Sequence, residues 1–388
     1  MFRIQPDLRF PRFKEPWKKT VLGDISKRPM YGVGASAVEF NNKDVYVRIT
    51  DIEDKSRKLM SRNFTSPSIV NEKYLLKDKD ILFARTGAST GKTYIHENYE
   101  MKYDYYFAGF LIKFEILKSY YPDFVYQYTL TNSYENWIKV MSVRSGQPGI
   151  NSEEYSKLKL NIPRYEEQKK IGDFFSKLDR QIELEEQKLE KLKEQKKGYM
   201  QKIFSQEIRF KDDNGNDYPE WESKKFLDIF KLVPSKNNQI KSSEVVENGI
   251  IPVVDQGKDI FLGYSNEKDK AIEDFDNVIV YGDHTTIIKY IKEPFIIGGD
   301  GVKLLESNDG SLIHYLYILL QYFNVKPEGY KRHYSILKNK MMNISNTKEE
   351  QEKIGDFFNE LDELIEKQSS KIVVLKQRKK GFLQKMFV

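Results

Sequence analysis

The feature that most constrains this chain is an internal repeat. Residues 166–179, EEQKKIGDFFSKLD, return at residues 349–362 as EEQEKIGDFFNELD, an offset of 183. The register runs without insertion from residues 167–204 to residues 350–387, where 21 of 38 positions are identical. A repeat of that length at a single offset means an architecture built twice.

Inside each copy the apolar side chains step alternately by four and three. They run Ile171, Phe175, Leu178, Ile182, Leu189, Leu192, Tyr199 and Ile203, then Ile354, Phe358, Leu361, Ile365, Ile372, Leu375, Phe382 and Met386. A 3.5-residue period predicts two coiled-coil helices that pack along a narrow seam. At about 40 residues, each would be roughly 60 Å long. Polar residues break the seam at matched places, Glu185 or Gln368 and Lys196 or Lys379. If the helices pair antiparallel, Glu185 and Gln368 meet and a central polar layer fixes the register; a solvated gap in an imperfect seam is the other reading.

Duplicated helices imply duplicated globules in front of them. RFPRFKEPWKKTVLGDI (9–25) is echoed by RFKDDNGNDYPEWESKKFLDIF (209–230), sharing Arg-Phe, a Pro ahead of Trp, and Asp-Ile. Both halves then alternate β-rich runs with turns: Asp44–Ile49 and Asp80–Ala84 in the first, Ile250–Val254, Val278–Tyr281 and Pro294–Ile297 in the second. A helical stretch follows, Asp123–Val140 or Leu312–Phe323. The expected fold class is α+β, with mixed α/β domains at 1–163 and 207–346 and long helices at 164–206 and 347–388. Antiparallel pairing of the helices would put the domains in pseudo-twofold relation.

A chain of 388 residues with 39% apolar composition can build more than one core. It has no cysteine, which excludes disulfides, thiolate metal sites and thiol nucleophiles. With neither an apolar signal segment nor a membrane-length apolar run, a soluble cytoplasmic protein is expected. The formal charge of +6 permits a nucleic-acid partner without demanding one. Residues 1–163 carry 26 Lys/Arg against 19 Asp/Glu, whereas residues 207–346 carry 18 against 22, so charge alone does not mark both globules as nucleic-acid binders.

The motifs that suggest catalysis do not hold together. Gly87-Ala88-Ser89-Thr90-Gly91-Lys92-Thr93 follows an expected strand, but a phosphate-cradling loop of the Walker type needs four residues between its glycines and a helix after them. Here three residues intervene, and Tyr94–Tyr103 has no helical periodicity. A nuclease reading from Pro122-Asp123 and Glu167-Gln168-Lys169 fails because the duplicate of the second element is Glu350-Gln351-Glu352, without the lysine. The four histidines, His96, His284, His314 and His333, are too dispersed for a zinc cluster. No methyltransferase tetrapeptide or glycine-rich cofactor loop occurs, so neither a catalytic centre nor a metal site is expected.

Candidates for reading base edges are turn residues with the right donors and acceptors. In the first half they are Arg85, Thr86, Ser89 and Lys92, with Arg144, Ser145, Gln147 and Asn151 just ahead of the long helix. In the second half they are Asp283, His284 and Thr285, with Lys331, Arg332, His333 and Ser335, the last lying 183 residues after Ser152.

The paired EEQxKIGDFF and KKGxxQKxF helices, the domain starts, the Asp-Ile-Leu-Phe-Ala-Arg-Thr-Gly strand and turn, and Ser-Gly-Gln-Pro-Gly-Ile-Asn together resemble the specificity subunits of type I restriction-modification enzymes. The resemblance spans essentially the whole chain. It implies that each globule is a target-recognition domain gripping half of a split double-stranded DNA site. The helices would space the half-sites and dock two methyltransferase subunits. On this reading S-adenosylmethionine, ATP and Mg belong to partner methyltransferase and restriction-translocase subunits, and none to this chain. A stand-alone DNA-binding regulator, a P-loop enzyme using residues 87–93 and a purely structural coiled coil are the rival readings.

Overall fold

The computed structural model describes residues 5–60, 63–98, 102–329 and 331–387. They form two compact units, one made of the chain up to Glu186 together with Lys371 onward, the other of Gln187–Ser370. Both long helices are present, Tyr165–Phe204 and Lys348–Met386. Each carries glutamates in its first turn, Glu166 and Glu167 or Glu349 and Glu350, and a lysine in its last, Lys202 or Lys385, the charge order that the helix dipole favours.

In the first unit, strands Lys18–Val21 and Lys159–Ile162 pair antiparallel and clasp the globule shut. Between them lies a four-stranded sheet in the order Met30–Tyr31, Leu111–Phe114, Ile81–Ala84, Thr93–Ile95. Asp44–Val47 pairs in parallel with Asp104–Phe107 beside it. The second unit repeats this plan. Glu222–Lys225 pairs with Met341–Ile344; the sheet runs Phe230–Val233, Val302–Ser307, Ile279–Gly282, Ile288–Lys289; Ile251–Val254 pairs in parallel with Ile296–Gly298.

One expected element is divided. The stretch Asp123–Val140 forms two helices, Pro122–Tyr128 and Asn132–Met141. The Thr129 and Thr131 hydroxyls donate back to the carbonyls of Tyr126 and Tyr128, at 2.6 and 2.8 Å, and Thr131 then caps the next helix by accepting from the Tyr134 N–H. Threonine hydroxyls that compete for backbone groups in this way end helices. The second globule keeps one helix, Ile313–Phe323.

Within each unit the helix segments run antiparallel. In the first, Phe175 lies 5.9 Å from Phe387, Lys379 donates to Asp179 at 2.6 Å, and Lys371 bonds Glu185. In the second, Phe204 stacks 6.4 Å from Phe358 and Lys196 donates to Asp362 at 2.7 Å. Lys196 and Asp362 are the 183-residue partners of Lys379 and Asp179, so one ion pair is made twice with the helices exchanged. Most seam residues are buried or half-buried; Tyr199 is the exception, 42% exposed, with its ring edge-on to Phe357. Gln368 is buried.

Phe204 and Phe387, one position beyond the periodic seam, plug the globular cores. Phe387 packs among Trp17, Phe124, Tyr128 and Phe175. Phe204 packs among Trp221, Tyr315, Tyr322 and Phe358. Burying a ring of this size contributes about 1.5–3 kcal/mol.

The repeated Arg-Phe and Glu-Gln motifs explain each other. Arg9 holds the buried Glu167 through two bonds, 2.7 and 2.8 Å. Arg209 reaches Glu350 at 3.2–3.4 Å, where Trp221 Nε1 and the Ser345 hydroxyl also donate, at 2.9 and 2.6 Å. Gln168 accepts from the Tyr121 N–H and Gln351 from the Leu312 N–H, both at 2.9 Å, tying each long helix to the helix that precedes it in its globule.

Candidate nucleic-acid interface

In the first globule strand Ile81–Ala84 opens into the turn of residues 85–92, which Gly87 and Gly91 make possible by adopting φ of +75° and +89°. Residues 144–151 lie against this turn. The Gly87 N–H donates to the Pro148 carbonyl, and the Ile150 N–H to that of Arg85, both at 2.9 Å, and Thr86 bridges Gly149. Two sequence-distant candidate segments thus form one surface. Ser145 and Gln147 are exposed on it, and Arg85, Thr86 and Ser89 are half-buried. The Arg85 guanidinium lies over the Tyr31 ring, 5.0 Å from its centroid, which holds a flat donor array in place.

The second globule builds its surface at the same topological position. The turn of residues 283–287 joins strands Ile279–Gly282 and Ile288–Lys289. The His333 N–H donates to the Asp283 carbonyl at 2.7 Å, the Tyr334 N–H to the Asp283 carboxylate at 2.9 Å, and the His284 ring meets the Lys331 carbonyl at 3.1 Å. Lys331, Arg332 and Ser335 are exposed, and His284 and Thr285 half-buried. Lys331 pairs with Glu328, and the Ser335 hydroxyl donates to the Arg332 carbonyl.

Five candidates are engaged in contacts within the protein. Lys92 is only 7% exposed; its ammonium donates to the Ile52 carbonyl at 2.9 Å and pairs with Asp54, tying down the neighbouring turn. Since residues 87–89 form a short 3-10 turn followed by strand, nothing there resembles a phosphate cradle. Arg144 bonds both oxygens of Glu154, at 2.6 and 2.7 Å, and caps the carbonyls of Met141 and Val143. Asn151 is the N-cap of helix Ser152–Ser156, accepting from Glu154. Asp283 and His333 are buried and form an internal clasp. His333 accepts from the Glu328 N–H at Nε2 and faces the Asp283 carbonyl with Nδ1.

Sequence reasoning missed three residues here. Tyr31 carries Arg85, and its hydroxyl receives the Ser152 N–H. Gln256 organises the second turn, accepting from the His284 N–H while its own carbonyl receives the Thr285 hydroxyl at 2.6 Å. Phe110 stands exposed beside Arg85. Among the described residues no helix is long and apolar enough to cross a membrane, and no group of three or more metal-capable side chains gathers.

Two copies of one mixed globule, each completed by both of two repeated helices, define the architectural class. The family described as the type I restriction modification DNA specificity domain matches residues 14–194 and 218–377, and the chain belongs to it. A type I restriction enzyme MjaVIII specificity subunit from Methanocaldococcus jannaschii is 24% identical over 254 residues. That alignment covers 64% of this chain and 56% of the relative, so the chain spans little more than half the length of the curated protein it matches. Among solved structures, the S subunit of a type I restriction-modification system from M. genitalium aligns over 99% of both chains, with 16% identity and a TM-score of 0.68. A chain from a study of complex assembly and conformational transition of the type I system aligns over 97% of this chain and 99% of its own, with 14% identity and a TM-score of 0.52. These two likenesses concern the fold.

Proposed function

We propose that this chain is the DNA sequence-recognition subunit of a type I restriction-modification enzyme, non-catalytic in itself. Each globule reads half of a bipartite, asymmetric site, the long helices set the gap between the halves, and two methyltransferase subunits dock on the chain. One observation carries the reading: the same strand-turn-strand position, backed by a second loop, bears different side chains in the two globules. Equal frames with unequal loops suit two different half-sites.

The base-reading set on this proposal is Arg85, Thr86, Ser89, Ser145 and Gln147 in the first globule and His284, Thr285, Lys331, Arg332 and Ser335 in the second. Lysines and arginines elsewhere add salt-dependent phosphate affinity. Adenine methylation with S-adenosylmethionine, and ATP- and Mg-dependent cleavage by restriction-translocase subunits, are assigned to the partners in the cytoplasm.

The test is co-expression with the partner methyltransferase, followed by sequencing of plasmid DNA for new N6-methyladenine. One interrupted, asymmetric methylated motif supports the proposal. A chain that binds no methyltransferase and yields no methylation refutes it.

A further inference from the structure

Phe110 sits in a tight turn between strands Asp104–Phe107 and Leu111–Phe114, closed by the Leu111 N–H donating to the Ala108 carbonyl at 2.9 Å. The backbone there is fixed from two sides. The Phe110 carbonyl accepts from the Arg85 N–H at 3.1 Å, at the base of the recognition turn. Gly32 presses so close beneath that a Cβ on it would come within 2.3 Å of the carbonyl oxygens of Phe107 and Ala108. Yet Phe110 is 61% exposed, and Arg85, laid over Tyr31, is its neighbour.

The duplicate shows what the fold itself needs at this point. Strand registers pair Ala84 with Leu111 in the first globule and Gly282 with Val302 in the second. The bond from Arg85 to Phe110 therefore corresponds to the 2.7 Å bond from the Asp283 N–H to the Gly301 carbonyl. Where one globule carries an exposed phenyl ring, the other has no side chain at all. The turn closes without it, so the ring is not there to hold its own globule together.

We infer that Phe110 is a specificity-determining residue that packs against a base edge of the half-site read by the first globule; this rests on the DNA-reading function proposed above. The apolar group that a base pair offers in the major groove is the C5-methyl of thymine, and a phenyl ring is among its complements. The rigid backbone mount suits reading by shape, because little backbone freedom is lost on contact. The half-site read by the first globule accordingly contains a thymine whose methyl group rests on Phe110.

The experiment uses the full chain in complex with its methyltransferase subunits, the variants Phe110→Gly and Phe110→Leu, and target duplexes in which each thymine is replaced in turn by deoxyuridine. Phe110→Gly copies the second globule and is expected to co-purify with the methyltransferase as wild type does. It should weaken target binding about ten-fold or more, with leucine intermediate, in line with the loss of a buried phenyl ring. One deoxyuridine should cost the wild type about four-fold, the value of one buried methyl, and cost Phe110→Gly nothing. Unchanged affinity and motif in Phe110→Gly would overturn the inference, as would additive effects at every thymine. Loss of co-purification would overturn it too, by giving the ring to a protein interface. A wild-type complex that binds no DNA would bring down the DNA-reading function itself, an outcome distinct from failure in the Phe110 variants alone.

Discussion

Removing Arg9 should destabilise the first globule much more than removing Arg209 destabilises the second, although the two arginines occupy matched positions. Glu167 is 1% exposed, and among the described residues the side-chain donors it receives are the two from Arg9, at 2.7 and 2.8 Å. The same bond holds the Arg9 guanidinium above its ordinary pKa. Arg9→Met therefore strands a buried carboxylate, a change that costs about 3–5 kcal/mol. Glu350 is equally buried but keeps Trp221 Nε1 and the Ser345 hydroxyl when Arg209, the more distant donor, is lost. Arg209→Met should then cost about 1–2 kcal/mol. Hydrogen exchange in urea, resolved to each globule by mass spectrometry, reads the two losses separately within one chain. Equal losses in the two globules, or a loss below about 1 kcal/mol for Arg9→Met, would refute the reasoning.

Other outcomes follow from the same contacts. Burial pushes His96 down to about 4, against an unfolded value of about 6.5. Above pH 6.5 it is neutral in both states; as the pH falls from 6.5 to 4 the unfolded chain binds a proton that the folded chain refuses, costing the first globule about 3 kcal/mol. A His96→Asn variant should flatten its urea midpoint across that window, and an unchanged profile would remove His96 as the cause. Glycines 172 and 355 are repeat partners under pressure: a Cβ would meet the Tyr121 ring at 2.7 Å and His314 Cδ2 at 1.9 Å. Alanine at either should destabilise by about 1–3 kcal/mol. Glycines 198 and 381 have nothing within 4 Å, so alanine there should stabilise by up to about 1 kcal/mol, as thermal melts will show. Lys196→Ala and Lys379→Ala should each cost about 1 kcal/mol, and a double-mutant cycle with Asp362 or Asp179 should return most of it as coupling energy.

The fold was legible where one constraint was written twice. The 183-residue offset, the Arg-Phe echo and the four-three period mark contacts that recur in both units, down to the Lys379 and Lys196 ion pairs. Strands such as Ile81–Ala84 and Ile251–Val254 were legible because they are apolar throughout and buried. The two candidate turns are brought against their partner loops as the sequence suggested, but the duty of each side chain in them was not legible. Arg144 and Asn151 have the hydrogen-bonding capacity that base recognition uses, and the chain spends it on Glu154 and a helix cap. Lys92 was grouped with the base-edge candidates because nothing local shows that Asp54 and the Ile52 carbonyl come within its reach from a segment about 40 residues away. Phe110 was hidden for the opposite reason: a phenylalanine at the edge of an apolar strand reads as core, and only its exposure in the fold separates it. Phe204 and Phe387 escaped because a helix stripe projected from its period ends one residue before them.

The strand clasps bear on how such a molecule can vary. The chain enters and leaves the first globule through Lys18–Val21 and Lys159–Ile162, and the second through Glu222–Lys225 and Met341–Ile344, in each case as neighbouring antiparallel strands. To the helix that follows, what lies between looks like a closed loop with a standard base. Loop-closure entropy grows only slowly with length, so that interior can lengthen, shorten or be replaced at little cost to the frame. The chain already contains two solutions, 137 residues between Val21 and Lys159 and 115 between Lys225 and Met341, mounted on the same base. The clasp thus separates what must stay constant from what is free to diverge, and a grafted interior that brings its own core needs to match the host over only four rungs of sheet.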